Sequence, residues 1–225
     1  MEQPRVPTIR CDNRDKVLSL KDIGVGRKLI IIASGPSVKR VNLEIARELP
    51  NVDCMTVNRP DDRVWPTKFW TFNDSPIYSK YKLYDNPKTQ IISTQSVRLN
   101  HAIILKHAPD GFGFNYDITK GVVLNRSSTY AALQIAYYMN YDKVIVLGCD
   151  QGLDADGRLY HNRFDFEFGG QEKRVTKFDL EAKRFEQLCQ YDMSKFIFIS
   201  DINTREWFKN LNNSPDMDLS KLFKE

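Results

Sequence analysis

Short apolar runs alternate along the chain with segments of helical periodicity. The clearest run, Lys28-Leu-Ile-Ile-Ile-Ala33, is continuous and rich in β-branched residues, as is typical of a strand that is buried on both faces. The other predicted strands cover residues 52–57, 68–72, 89–93, 102–106, 143–148 and 195–200. Strands that alternate with helices favour a Rossmann-like α/β fold, a doubly wound and mainly parallel sheet of GT-A-like type.

Three helices are predicted between these strands. Residues 41–49 form a short one that ends at Pro50, and residues 175–189 form an amphipathic one. Residues 127–139 are apolar on nearly all sides, which indicates a helix buried within the protein.

The elements divide the chain into a domain with two extensions. Residues 1–26 lack periodicity and predict an irregular N-terminal arm, and residues 27–209 hold the α/β domain. Within that domain, residues 151–171 are polar, aromatic and glycine-rich, which predicts a functional, lid-like loop. Residues 210–225 are polar and predict a frayed tail.

Composition narrows the class of protein. Hydrophobic residues make up 41% and charged residues 28%, which is typical of a globular domain. No apolar run approaches the roughly 20 residues of a membrane span, and the first residues lack the apolar core of a secretory signal. We therefore expect a cytoplasmic protein without a membrane partner. The net charge of +4 leaves room for an anionic partner such as nucleic acid, and the four cysteines lack the C-x-x-C pairs of zinc knuckles.

A turn of small residues, Ser34-Gly35-Pro36-Ser37, follows the first strand. Ligands of α/β sheets bind beyond the carboxyl ends of the strands. Gly35 allows close approach of a ligand, and Ser37 is suited to cap a helix while its hydroxyl faces a phosphate. The turn matches neither the Walker pattern nor G-x-G-x-x-G. It is a candidate phosphate site, with an ordinary helix-capping turn as the alternative.

Polar pairs also follow the next two strands, as Asn58-Arg59 and Asn73-Asp74. An asparagine can bind a base or sugar edge, and an arginine can pair with phosphate. Either pair alone is also typical of a solvated turn. Together with the first turn they predict a ligand crevice at one edge of the sheet.

The buried helix opens with Asn125-Arg126-Ser127-Ser128. A helix N-terminus carries free N–H groups and roughly half a positive charge. Ser127 or Ser128 is therefore a candidate for binding a phosphate or carboxylate, with plain capping as the alternative.

Acidic residues and a histidine follow the strand at residues 143–148. Asp150 ends that strand, and Asp154 and Asp156 offer oxygen ligands for Mg²⁺ or Mn²⁺, although Asp-Ala-Asp-Gly is also a common turn sequence. His161 is the histidine best placed to act as a general base. No other cofactor is predicted.

Four segments of the chain resemble known enzymes when they are taken in order. They are Ile-Ile-Ala-Ser-Gly-Pro-Ser, Val-Asn-Arg, Asn-Arg-Ser-Ser-Thr-Tyr-Ala-Ala and Val-Ile-Val-Leu-Gly-Cys-Asp. This order resembles the bacterial sialyltransferases of glycosyltransferase family 42 and a related Rossmann group that includes archaeal-type 6-hydroxymethylpterin pyrophosphokinases. Small phage-encoded proteins carry similar segments. The resemblance covers roughly residues 28 to 205.

The resemblance implies a nucleotide-sugar donor that lies across the strand ends. It implies that Gly35-Pro36-Ser37 contacts the nucleotide and that Asn58 contacts nucleotide or sugar. Ser127 or Ser128 would then lie near the anionic groups of the donor.

The same resemblance matches Asp150 to an acidic residue and Tyr160 to a tyrosine that stabilises the departing phosphate. The chain also departs from the family. Ser34 stands where the family has asparagine, and Gln151-Gly152 stands where a second tyrosine is expected. Residues 169–171 are Gly-Gly-Gln where the family has its catalytic histidine, and the nearest histidine is His161.

Three functions follow as hypotheses. The first is transfer of a sugar from a nucleotide-sugar donor to a hydroxyl of a glycan or nucleic-acid base, with His161 or Asp150 as base and Tyr160 and Ser128 holding the leaving phosphate. The second is Mg²⁺-dependent diphosphoryl transfer from ATP, with Asp150, Asp154 and Asp156 around the metal. The third is a nucleotide-binding module without catalysis.

Overall fold

A parallel sheet of eight strands organises the structure, a computed structural model that describes residues 13–94, 101–108, 113–150, 182–200, 206–214 and 216–223. Two further short strands pair with each other outside it. In chain order the strands are β1 Lys28–Ile32, β2 Val52–Val57, β3 Phe69–Phe72, β4 Gln90–Ser93, β5 Ile103–Ile104, β6 His107–Ala108, β7 Val122–Val123, β8 Lys143–Leu147, β9 Phe196–Ile199 and β10 Asn213–Ser214.

The strand order reverses at β1. The order across the large sheet is β10-β9-β8-β1-β2-β3-β4-β5, and every neighbouring pair is parallel. Strands that follow β1 directly lie on one side of it, and β8 to β10 lie on the other. This order confirms the predicted Rossmann-like α/β fold and places its topological switch point between β1 and β8.

Helices cover the sheet between the strands. The α-helices are α1 Asn13–Leu18, α2 Ser75–Tyr81, α3 Ser128–Tyr138 and a last turn at Leu219–Leu222, and residues 182–185 are also helical. The 3₁₀ turns are Pro36–Arg40, Glu44–Arg47, Lys82–Tyr84, Ile118–Lys120, Glu186–Gln190 and Glu206–Asn210. Within the part of the chain that the structure describes, no helix is long and apolar enough to cross a membrane.

The helix α3 is the centre of the larger core, as its apolar sequence predicts. Every residue from Tyr130 to Ala136 is at most 1% exposed, and the helix packs against β2 and β3. The one amide on this stretch, Gln134, is fully satisfied because it exchanges hydrogen bonds with both backbone groups of Val123 on β7. This pair of bonds joins α3 to the small sheet.

The helix predicted at residues 41–49 is wrong. The chain instead forms two 3₁₀ turns, Pro36–Arg40 and Glu44–Arg47, separated by extended backbone at Val41. Within the predicted range Leu43 and Ala46 are buried three residues apart, which is the period of a 3₁₀ helix. Two short turns therefore bury the same apolar side chains as the expected helix.

In the residues that the structure describes, both the N-terminal arm and the tail are more ordered than their sequences predict. In the N-terminal arm, α1 buries Val17 in the larger core. In the tail, β10 joins the sheet and Leu219 is 1% exposed. Lys28 and Lys143 donate hydrogen bonds to carbonyl groups at the end of the last helix, at 2.9 and 3.3 Å. The prediction of a frayed tail is wrong, because Leu219 and its partly buried neighbours Met217, Leu222 and Phe223 pack against the core.

Candidate functional site at the strand ends

The two loops at the switch point lie directly against each other. Gly35 N–H, after β1, donates to the carbonyl oxygen of Gly148, after β8, at 2.8 Å. Ser37 donates twice to the carboxylate of Asp150, from its amide at 2.8 Å and from its hydroxyl at 2.5 Å. The predicted turn therefore does not form an open wall of a crevice. Its amide and hydroxyl at Ser37 are directed at Asp150.

Asp150 is 2% exposed, and its carboxylate occupies the position at this turn where an external anion would otherwise bind. Burial raises the pKa of its carboxyl group, and the hydrogen bonds from Ser37 oppose that rise. The carboxylate lies at the start of the 3₁₀ turn Pro36–Arg40, where free amides favour an anion. In this arrangement Asp150 positions the turn. Its predicted role as a base stays a prediction.

The turn after β1 is mostly buried, so little of the switch point is exposed to solvent. Gly35, Pro36 and Ser37 are buried, and Ser34 is half-buried. Ser34 is therefore the residue of this turn that a ligand can reach in the conformation seen here.

A pocket of about 280 Å³ opens further along the same edge, between the end of β3 and the start of α3. Four of its residues belong to the predicted site. The lining consists of Asn73, Asp74, Leu124, Arg126, Ser127 and Ser128. The structure thus brings together two polar segments, after β3 and before α3, that are far apart in sequence.

The start of α3 forms one side of the pocket. Ser127 is its N-cap residue, with an extended backbone and no side-chain capping bond. The backbone reaches that position through Asn125 and Arg126, whose φ angles of 45° and 62° are left-handed. Such conformations are uncommon for residues other than glycine and cluster at functional sites. The first-turn amides have no acceptor within the helix, so this end of α3 favours an anion.

The end of β3 forms the other side. The Oδ1 atom of Asn73 accepts from the amide and hydroxyl of Thr94, at 3.2 and 3.0 Å, which ties its side chain to the neighbouring strand end. Asp74 is exposed at the N-cap of α2. Its carboxylate is the acidic group in a lining that also contains the guanidinium of Arg126.

Asn58 and Arg59 do not line the pocket. Asn58 has a φ of 62°, its N–H donates to the Thr71 carbonyl, and its own carbonyl accepts from the Trp70 indole, both at 2.8 Å. Burial and then the charge of Arg59 lower the pKa of Lys80 on α2. Arg59 therefore lies towards α2.

The remaining candidates, Asp154, Asp156, Tyr160 and His161, lie outside the described residues. Their roles as metal ligands, phosphate contact and base stay predictions. Among the described residues, no group of three or more histidine, cysteine, aspartate or glutamate side chains could hold a metal ion.

The sequence reasoning missed Arg126 and Leu124 as pocket residues. Arg126 could have been found, because a cation immediately before the N-terminus of the most buried helix adds to the positive end of its dipole. Leu124 has no such signal in the sequence, and it lines the pocket because it lies just before the start of α3. Comparison with protein-family profiles, curated proteins and solved structures found no match for this chain.

Proposed function

We propose that the chain binds the phosphates of a nucleotide-sugar donor in the strand-end pocket and transfers the sugar to a hydroxyl acceptor. The observation that carries the proposal is the uncapped start of α3 facing a pocket that Arg126 also lines. Free helix amides and a guanidinium are the groups that bind phosphate oxygens in proteins.

The two charges of the pocket suggest an orientation for the donor. Phosphate is attracted to the start of α3 and to Arg126, and it is repelled by the carboxylate of Asp74. Asp74 is suited to accept hydrogen bonds from hydroxyl groups. The donor would therefore lie with its phosphates towards α3 and a hydroxyl-bearing part towards the end of β3.

Catalysis in this proposal depends on the chain that follows Asp150. His161 would remove the proton of the acceptor hydroxyl, and Tyr160 would donate a hydrogen bond to the departing phosphate. The acceptor would be a glycan or a nucleic-acid base, and the net charge of +4 leaves room for the nucleic acid.

Binding is tested first, by calorimetry with pyrophosphate, a panel of nucleotide sugars, and ATP. Arg126→Gln should weaken pyrophosphate binding by about 5- to 30-fold, which corresponds to about 1–2 kcal/mol, and added salt should reduce the difference. Lys88→Gln is the matched control, because Lys88 is exposed just before the amino end of β4, at the opposite edge of the sheet. Equal effects of both variants would contradict the phosphate site.

Turnover is tested by donor hydrolysis. Slow release of sugar from UDP-, GDP- or CMP-sugars, with ATP left intact, is the expected result. Cleavage of ATP to AMP that is lost in Asp154→Ala would favour diphosphoryl transfer instead. Nucleotide binding with no turnover of any donor would favour a non-catalytic module. Full activity in His161→Ala would remove His161 as the base.

A further inference from the structure

The guanidinium of Arg59 lies beside another cation and not beside a carboxylate. Its side chain is partly exposed and makes no hydrogen bond or ion pair within the residues that the structure describes. Burial and then the charge of Arg59 lower the pKa of Lys80, and the same charge opposes the effect of burial, which raises the pKa of Tyr81. Two neighbouring cations repel each other, and an anion between them would remove that repulsion.

The carboxylates that follow Arg59 in the chain are already engaged. Asp61 accepts a hydrogen bond from the guanidinium of Arg63 at 2.7 Å. Asp62 accepts one from the hydroxyl of Tyr84 at 2.6 Å. Both acidic groups therefore have partners of their own, and an external anion can approach Arg59 without displacing either of these bonds.

Aromatic rings lie beside the two cations. The ammonium group of Lys80 is 5.4 Å from the centre of the Tyr81 ring. The rings of Tyr81, Tyr84 and Trp65 continue from there in edge-to-face contacts, with centroids 6.2 and 5.5 Å apart, and all three side chains are partly exposed. Cations interleaved with exposed rings are typical of surfaces that bind single-stranded nucleic acid, where phosphates pair with the cations and bases stack on the rings. We call Arg59, Lys80 and Tyr81 the α2 surface.

The α2 surface and the strand-end pocket lie on opposite faces of β3. Phe72 stacks on Tyr78 of α2, with centroids 6.1 Å apart, whereas Phe69 points to the other face and packs in the core that contains α3. Between the two sites stands Asp74, which lines the pocket and is the N-cap of α2. Lys80 is six residues further along, or about 9 Å at the rise of a helix. A molecule held at the α2 surface would therefore reach the pocket across the end of one strand.

We infer that the α2 surface binds single-stranded nucleic acid, with a phosphate between Arg59 and Lys80 and a base stacked on Tyr81. The guanidinium and the ammonium would both pair with phosphate oxygens. Lys80 would then leave the Tyr81 ring, which would expose the ring to the base. A neutral glycan, in contrast, would leave the repulsion between the two cations uncompensated. That the nucleic acid is the acceptor of the sugar rests on the proposed function, whereas its binding does not.

Removal of each charge tests the phosphate contact. The probe is a fluorescent oligothymidylate of about 12 nucleotides, whose anisotropy is followed from about 50 to 200 mM salt. Arg59→Gln and Lys80→Gln should each weaken binding about 3- to 10-fold at low salt. Each should also reduce the slope of log affinity against log salt by about 0.7, because one phosphate contact is lost.

Two further variants separate charge from structure. Arg59→Lys keeps the positive charge and should keep the salt slope of wild type. Lys88→Gln, at the opposite edge of the sheet, should change neither affinity nor slope. A thermal unfolding curve of each variant verifies that it is folded.

A probe without bases tests the stacking. An abasic oligomer of the same length carries the same charge, but it has no base to stack. Wild type should bind it at least about 5-fold more weakly than the oligothymidylate, since stacking of one base contributes at least about that factor. Tyr81→Leu should remove most of this difference, and Tyr81→Phe, which keeps the ring, should retain it.

Three results would overturn the inference. They are no binding of the oligothymidylate at about 50 mM salt, an equal loss of affinity in Arg59→Gln and Lys88→Gln, and equal affinity of wild type for the two oligomers. The last would indicate a site for any polyanion.

Pyrophosphate distinguishes this inference from the proposed function. At matched ionic strength, saturating pyrophosphate should not displace the oligothymidylate, because the two sites lie on opposite faces of β3; displacement would overturn the inference. A protein that binds the oligothymidylate but neither pyrophosphate nor any nucleotide sugar would refute the donor site and leave the α2 surface standing. The reverse pattern would refute the α2 surface alone.

Discussion

Gly35→Ala tests the contact between the two loops at the switch point. Gly35 has φ −69° and ψ 156°, an extended conformation that alanine adopts without strain. The added methyl group would meet the carbonyl oxygen of Gly148 and would lie 2.5 Å from Oδ2 of Asp150. Ordinary contacts of a Cβ atom begin near 3.4 Å, so the carboxylate must move by about 0.9 Å to restore one.

The crowding lowers the free energy of unfolding, and the loss of a flexible glycine from the unfolded chain raises it slightly. Overpacking a well-packed site costs about 1–3 kcal/mol, and replacing glycine by alanine recovers about 0.4–1 kcal/mol by restricting the unfolded chain. The net loss of about 1–2 kcal/mol corresponds to a fall in Tm of about 2–8 °C for a chain of this size. Thermal and urea unfolding measure it, and donor affinity should fall as well, because the turn and Asp150 move together.

Gly26→Ala is the control, because it should destabilise the protein by backbone strain and not by crowding of side chains. Gly26 has a φ of 72° and open space around its Cβ position, so alanine there suffers backbone strain of about 1–2 kcal/mol without crowding. It should lower stability but leave donor affinity unchanged. The reasoning is refuted if Gly35→Ala is as stable as wild type, or if it keeps full donor affinity while Tm falls.

Other predictions concern the contacts that hold the site and the sheet. Ser37→Ala should lower the free energy of unfolding by about 1.5–3 kcal/mol, measured in urea, because a charge-assisted hydrogen bond to a buried carboxylate is lost; no change would mean that the bond is not formed. Asp53 is 5% exposed and accepts hydrogen bonds from Arg27, Lys68 and Tyr141. Burial raises the pKa of its carboxyl group, but these bonds together outweigh burial and hold the pKa below its usual range. Asp53→Asn should therefore cost about 2–3 kcal/mol at pH 7, and the difference from wild type should shrink as pH falls below about 4 through the folded pKa; a difference that does not change with pH would contradict this. Leu219→Ala should cost about 2–4 kcal/mol by thermal unfolding if the tail packs as described, whereas a frayed tail would show no effect.

The strands and the buried helix were predictable because an element that is buried on all sides has a continuous run of apolar residues in its sequence. The run Lys28–Ile32 and the helix Ser128–Tyr138 appear within one residue or so of their predicted bounds. The sheet order follows from the alternation of elements together with the rule for doubly wound folds.

The predictions of the weaker elements were wrong or incomplete for local physical reasons. Leu43 and Ala46 lie three residues apart, a spacing that fits a 3₁₀ turn and one face of an α-helix equally well over nine residues. The helix Ser75–Tyr81 was not predicted, since seven residues with a proline near the start give little periodicity. The tail is held by Leu219 and by lysines from β1 and β8, contacts that a pattern within the tail does not contain.

The candidate site was partly predictable for a related reason. Asn73, Asp74, Ser127 and Ser128 were named because each follows a strand or opens a helix, and the structure places all four around one pocket. The contact of Ser37 with Asp150 joins residues 113 positions apart. Pattern rules treat each position by its local element, so they cannot predict that pairing.

That pairing explains why the pocket lies at α3 and not at the switch point. The sequence contains two starts of helical turns that favour an anion, one after β1 and one at α3, and the same physical rule names both. Asp150 fills the first from within the protein, at a cost in burial that the Ser37 bonds reduce but do not cancel, because the pKa of Asp150 stays raised. At the second, no hydrogen bond from the first-turn amides of α3 to an acidic side chain is seen among the described residues, and Arg126 adds a positive charge beside it. In the proposed function, a ligand with phosphate groups would therefore bind at the start of α3, and the turn after β1 would hold Asp150 in position.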